Sequence, residues 1–156
     1  HVVATDTSED AIACANENVI HLNLQNQIQL QRTDLFPSQP ACANLIVCNP
    51  PWLPARPTSP IEAAVYDPNN EMLEKFLSTA ATHLAPNGQI WLIMSNLAEL
   101  IQLRPANFVG TLAQKYGLNV INRIDTQPGH AKSVNPKDPL YEARTREITS
   151  LWVLKP

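Results

Sequence analysis

An α/β fold with a mostly parallel sheet is predicted for this 156-residue chain by three observations. Short β-rich apolar runs alternate with helical stretches of ten or more residues, the pattern of strands that cross over through helices into a sheet covered on both faces. Polar residues, Asp6, Asp34 and Asn49, follow the early runs, as they do where the carboxyl ends of strands form a site. With 44% hydrophobic and 16% charged residues, the composition suits a packed core and argues against global disorder.

The elements follow in order. The run from His1 to Thr5 reads as a strand that stops at Asp6, and Thr7 and Ser8 offer a helix N-cap followed by acidic residues in the first turn. Ala11, Ala15, Val19 and Leu22 recur at spacings of three and four, so one helix stripe faces a sheet. Ile28 and Leu30 alternate with polar neighbours before Asp34, and Leu45 to Cys48 is a buried strand that ends at Asn49. Eight of the fourteen prolines lie between Pro37 and Pro68, a stretch that neither regular helix nor central strand accommodates.

Beyond it, Met72, Leu73, Phe76, Leu77, Ala80, Ala81 and Leu84 mark an amphipathic helix closed by the turn Pro86-Asn87-Gly88. A strand from Ile90 to Met94 follows. Pro105 is expected to open a third helix striped by Phe108, Val109, Leu112, Ala113 and Tyr116 and ended by Gly117. Val120 to Ile124 and Ile148 to Leu154 read as a final antiparallel pair, joined by a long polar loop from Asp125 to Ala143.

Composition narrows the function classes. A net charge of −3 gives no overall basic field for a polyanion, so nucleic acid would need a local patch; Lys132, Lys137, Arg123, Arg144 and Arg146 offer one, set against Asp125, Asp138, Glu142 and Glu147 as a solvated rim. Cys14, Cys42 and Cys48 form neither a disulfide framework nor a zinc knuckle, and His21, His83 and His130 lack metal-ligand spacing, so no metal is expected. No run approaches the roughly 18 apolar residues of a membrane span, and the reading is a cytoplasmic protein of open oligomeric state.

The Asn49-Pro50-Pro51-Trp52 segment carries the sharpest chemistry. Two consecutive prolines after a strand fix two φ angles and remove two donors, leaving carbonyls that point outward without competing amides. An amide or exocyclic amine nitrogen is a poor nucleophile because its lone pair is delocalised. Two oxygen acceptors on its hydrogens would localise that lone pair and aim it. In an arbitrary sequence the same residues would form a plain loop, Asp6 a helix cap and Asp34 a turn.

The order Val2-Val3-Ala4-Thr5-Asp6, Thr33-Asp34-Leu35-Phe36, Asn49-Pro50-Pro51-Trp52 resembles that of class I S-adenosylmethionine-dependent methyltransferases. Within them it is similar to the HemK group of glutamine N-methyltransferases, the small-domain set with an Asn-Pro-Pro-aromatic tetrapeptide, and to RNA and DNA amino-methyltransferases. The segment Ile61-Glu62-Ala63-Ala64 with Met72, Leu73 and Phe76 also looks like HemK relatives.

The resemblance implies a Rossmann-like three-layer α/β/α sheet with a C-terminal antiparallel hairpin, and S-adenosyl-L-methionine as cofactor. It implies that Asp6 and Thr7 hold the ribose, Asp34 and Leu35 the adenine, and that Asn49 touches both cofactor and acceptor. Pro50, Pro51 and Trp52 would complete the catalytic corner, with Trp52, where Tyr or Phe is commoner, stacking on the acceptor. The implied partner is a release-factor-like protein, or else an RNA or DNA base. A binding module that kept the fold without catalysis is the reading from another class.

All four glycines, Gly88, Gly110, Gly117 and Gly129, fall in the second half, so the acidic glycine-rich loop and first strand of such enzymes are not found. Residues 1–156 are accordingly expected to be a single partial methyltransferase domain that runs from the second strand. A sheet without its middle strand would carry two unpaired edges, and such a fragment is expected to bind cofactor weakly.

Overall fold

The computed structural model describes residues 1–37, 42–59, 62, 64–129 and 135–156. The sequence features at Ile61, Ala63, His130 and Lys132 lie outside the described residues. The chain divides into two compact units, His1–Cys42 and Ala43–Pro156.

In the first unit, strand β1 (Val2–Asp6) leads into helix α1 (Glu9–His21) and returns as β2 (Ile28–Arg32). The two strands pair in parallel from Val2↔Ile28 to Asp6↔Arg32. Of the two cap candidates it is Ser8 that serves, its Oγ accepting the Ala11 amide at 3.2 Å, with Glu9 and Asp10 against the positive end of the helix dipole. Val19 is the buried residue of the apolar stripe, whereas Leu22 closes the helix as its C-cap and stands 60% exposed. Arg32 meets Glu9 at 2.9 Å, but both are exposed, and such a pair adds little stability.

The second unit is built on a four-stranded sheet ordered β3-β4-β6-β5, from β3 (Ala43–Cys48), β4 (Leu84–Ser95), β5 (Asn119–Thr126) and β6 (Thr149–Lys155). Strands β3 and β4 are parallel; β6 runs antiparallel to both β4 and β5, so the expected terminal hairpin is present. The turn at Pro86-Asn87-Gly88 lies inside β4, as a register slip between Ala43↔Leu84 and Leu45↔Gln89 with Asn87 at φ 65°. Helix α2 (Glu71–Ala80) buries Leu73, Phe76, Leu77 and Ala80, and α4 (Phe108–Lys115) buries Val109, Leu112 and Ala113. Their counterparts on the sheet are Ile90, Leu92, Met94 and Leu154, each at most 3% exposed. A side chain so buried contributes roughly 1.5–3 kcal/mol.

Two short helices, α3 (Leu97–Leu100) and α5 (Tyr141–Arg144), occupy stretches without periodicity enough to announce them. The third amphipathic helix starts at Phe108 rather than at Pro105, because Glu99 supplies its N-terminal acceptor: its carboxylate takes the amides of Asn107 at 3.0 Å and Phe108 at 3.2 Å. Among the described residues β1 pairs only with β2 and β3 only with β4, and both strands carry exposed apolar side chains at Val2, Leu45 and Val47.

A Cβ added at Gly88 would lie 2.7 Å from the Ala43 carbonyl oxygen and 3.0 Å from that of Ala85. Backbone cannot yield as a side chain does, so Gly88→Ala is expected to destabilise the chain by about 1–3 kcal/mol, read as a lower denaturant midpoint at unchanged slope.

Candidate active site

The first unit places Asp6, Thr7, Asp34 and Leu35 around the carboxyl edge of its two strands. Asp6 is exposed at the end of β1, and its Oδ1 accepts the Ser8 amide at 2.8 Å. That bond orients the exposed carboxylate. Its backbone carbonyl takes the Thr33 amide at 3.0 Å, which ties the Asp34 turn to the same edge. Leu35 sits at φ 66°, an uncommon region for a branched side chain, and Thr5 Oγ1 donates to its carbonyl at 2.6 Å. Strain of this kind persists only where the surroundings hold it, as the Thr5 and Thr33 hydroxyls do here; Thr33 Oγ1 donates to the Phe36 carbonyl at 3.2 Å. An exposed carboxylate beside a held left-handed corner can accept hydrogen bonds from a pair of hydroxyls.

The second unit presents Asn49 to Trp52 directly after β3. Asn49 is exposed, Pro50 is buried, and Pro51 and Trp52 are half-buried. Trp52 Nε1 donates to Asn49 Oδ1 at 3.0 Å. An indole N–H can only donate, so it selects the oxygen end of the amide, and that oxygen keeps a second lone pair free. Beyond the prolines, Leu53 donates to Val65 at 3.1 Å and accepts from the Asp67 amide at 2.8 Å, an isolated parallel bridge beside Tyr66.

Asp67, in the loop after the tetrapeptide, is 2% exposed and structural: its carboxylate accepts the amides of Met72 at 2.8 Å and Leu73 at 3.0 Å, at the start of α2. Glu62 binds the Thr58 amide at 2.6 Å and hydroxyl at 2.8 Å, and those bonds lower its pKa. The basic neighbourhood near the C-terminus is not uniformly a solvated rim either, since Glu147 is 1% exposed, bonded to Ser95 Oγ at 2.5 Å and paired with Arg144 at 3.5 Å.

Arg104, which no motif or periodicity singles out, is buried behind the tetrapeptide at 5% exposure. Its Nε donates to Asn70 Oδ1 at 2.7 Å and its Nη1 to the Trp52 carbonyl at 2.9 Å. The Phe108 ring centroid lies 5.1 Å from the guanidinium carbon. Burial draws its pKa down, while Asp67 and Glu99 favour the charged form. Among the described residues no group of three or more His, Cys, Asp or Glu is placed to hold a metal ion, and no helix is long and apolar enough to cross a membrane.

Residues 1–115 match the family described as Methyltransferase small domain, and the chain belongs to that family. The release factor glutamine methyltransferase of Cereibacter sphaeroides is 29% identical over 103 residues, which are 59% of this chain and 37% of that protein. The ribosomal protein uL3 glutamine methyltransferase of Bordetella pertussis is 43% identical over 53 residues, 33% of this chain and 18% of that protein. The chain thus spans well under half the length of these two relatives. The fold is that of an S-adenosylmethionine-dependent methyltransferase from Clostridium acetobutylicum, with TM-score 0.57 and 13% identity over 98% of this chain and 74% of that one.

Cys48, the last residue of β3, offers a probe of this corner, because burial pushes its thiol up to about 12. At pH 8 about one part in ten thousand is thiolate, and that fraction rises tenfold per pH unit up to the pKa. Ellman's reagent is therefore expected to take exposed Cys14 and Cys42 promptly and Cys48 only after denaturation.

Proposed function

We propose that the protein is an S-adenosylmethionine-dependent N-methyltransferase whose acceptor is a glutamine side chain of a protein. The observation that carries the reading is the exposed Asn49 amide, its oxygen end fixed by the Trp52 indole, directly after β3 and followed by two prolines without N–H groups. When bound, S-adenosylmethionine supplies a methyl group on a sulfonium, electrophilic enough to be taken by a weak nucleophile.

The chain's own residues do the rest. Asn49 Oδ1 and the Pro50 carbonyl accept the two hydrogens of the acceptor nitrogen, which withdraws its lone pair from the amide π-system and directs it. The nitrogen loses a proton as the bond to carbon forms, and an oxygen acceptor or water takes it. Trp52 covers the planar acceptor face. Asp6 with Thr7 would hold the ribose hydroxyls and Asp34 with Leu35 the adenine edge, consistent with the exposed Asp6 carboxylate and the held Leu35 corner. Three unpaired cysteines suit a reducing cytoplasm.

Both curated relatives are named as glutamine methyltransferases, which supports a protein acceptor over a base. The test offers tritiated S-adenosylmethionine and, separately, release factor, ribosomal protein uL3, ribosomal RNA and transfer RNA to the whole protein. Label on a protein glutamine is expected; label on RNA alone would move the acceptor to a base, and label on none would remove the reading. Asn49→Ala is expected to lower kcat by about 10²–10³ with the donor KM little changed, since it deletes an acceptor used most in the transition state.

A further inference from the structure

The buried guanidinium of Arg104 has no part in the core and no place in the motifs, yet it bonds to the segment that carries the tetrapeptide. Burying a charge is unfavourable unless it is paired and hydrogen-bonded, and here Nη2 is buried with no hydrogen-bond partner among the described residues. An apolar side chain of similar length would fill the same space without that penalty. What it could not do is hold two loops and a strand at once.

Arg104 grips the Trp52 carbonyl, the side chain of Asn70 and, through Nη1 at 3.4 Å, the sulfur of Met94 on β4. Asn70 lies in the left-handed region at φ 63°, beside Asn69 at φ 57°, so this loop too is held in an uncommon conformation. The hold on Trp52 matters most. Pro50, Pro51 and Pro54 have no amide to donate, so the backbone around the indole has few anchors of its own. Fixing the Trp52 carbonyl fixes the peptide from which the indole springs, and the indole N–H in turn fixes Asn49 Oδ1.

We propose that Arg104 is a positioning residue for methyl transfer: from behind the loop, through the Trp52 carbonyl, it sets the ring whose N–H orients the Asn49 amide oxygen. This rests on the catalytic reading of Asn49. Arg104 is buried and bonded to the Trp52 carbonyl and Asn70, so its loss should disturb aim rather than affinity.

The experiment compares Arg104→Met and Arg104→Lys with wild type in the whole protein. Amide exchange followed by mass spectrometry is expected to quicken at Leu53 and Asp67 by at least about tenfold in Arg104→Met, with β4 and β6 unchanged. With the acceptor that wild type labels, kcat is expected to fall by about 10–100-fold at a donor KM within about twofold. Arg104→Lys, which keeps one charged donor, should fall between. Wild-type exchange at Leu53 and Asp67 would overturn the brace, and wild-type kcat in a variant with quickened exchange would overturn the positioning role.

Should Arg104→Met fail to fold, Arg104→Lys combined with Trp52→Phe replaces it. A double variant no worse than the poorer single one supports action through Trp52, and additive losses overturn it. The exchange measurement is independent of chemistry, so full activity in Asn49→Ala would sink the catalytic reading while the brace was still being read.

Discussion

A segment that gives up half of its backbone donors has to be held from outside, and this constraint shapes the second unit. Between Asn49 and Pro54 only Asn49, Trp52 and Leu53 retain an N–H, so no sheet ladder can continue past Cys48. The rings set three φ angles but leave the carbonyls to find partners elsewhere. Two of them do so across long stretches of sequence: Leu53 accepts from Asp67, and Trp52 from Arg104. The bonds that hold these carbonyls therefore come from residues distant in sequence.

The charges that do this work depend on one another. Asp67 is nearly inaccessible because its carboxylate is consumed at the start of α2, where two amides and the helix dipole stabilise its negative form. That fixed negative charge favours the buried guanidinium of Arg104, as Glu99 does while it caps α4. Desolvation works against Arg104, at several kcal/mol for an isolated buried ion in a protein, and the hydrogen bonds and the Phe108 ring offset it. The ends of two helices and the loop after β3 thus share one set of charges.

The order of the fold was legible because it is periodic. Four-residue apolar runs and stripes at three and four residues located the six strands and the three longer helices, except that β4 begins at Leu84, which the stripe had assigned to the helix that ends at Ala80. Periodicity said nothing of α3 and α5, which are a single turn each, and it misplaced the start of α4, where Pro105 suggested an opening that Glu99 in fact provides at Asn107 and Phe108. The candidate site divides in the same way. Asp6, Asp34 and Asn49 are visible because each follows a strand, whereas Arg104 and its partner Trp52 stand 52 residues apart and only folding relates them. For Asp67 a signal did exist, an acidic residue shortly before an amphipathic helix, which is the ordinary mark of a cap.

The aromatic residue of the tetrapeptide gains a physical meaning from the same geometry. Phenylalanine at position 52 would offer a stacking face and no donor, and a tyrosine hydroxyl would sit at the far tip of its ring. Only the indole combines the face with an N–H on its flank, where it meets Asn49 Oδ1. A donor there distinguishes the two ends of an otherwise nearly symmetric amide, so the oxygen is presented without a search between flipped forms. The ring can discriminate in this way only while its own backbone is still, and the group that stills it is a buried arginine bonded to the Trp52 carbonyl.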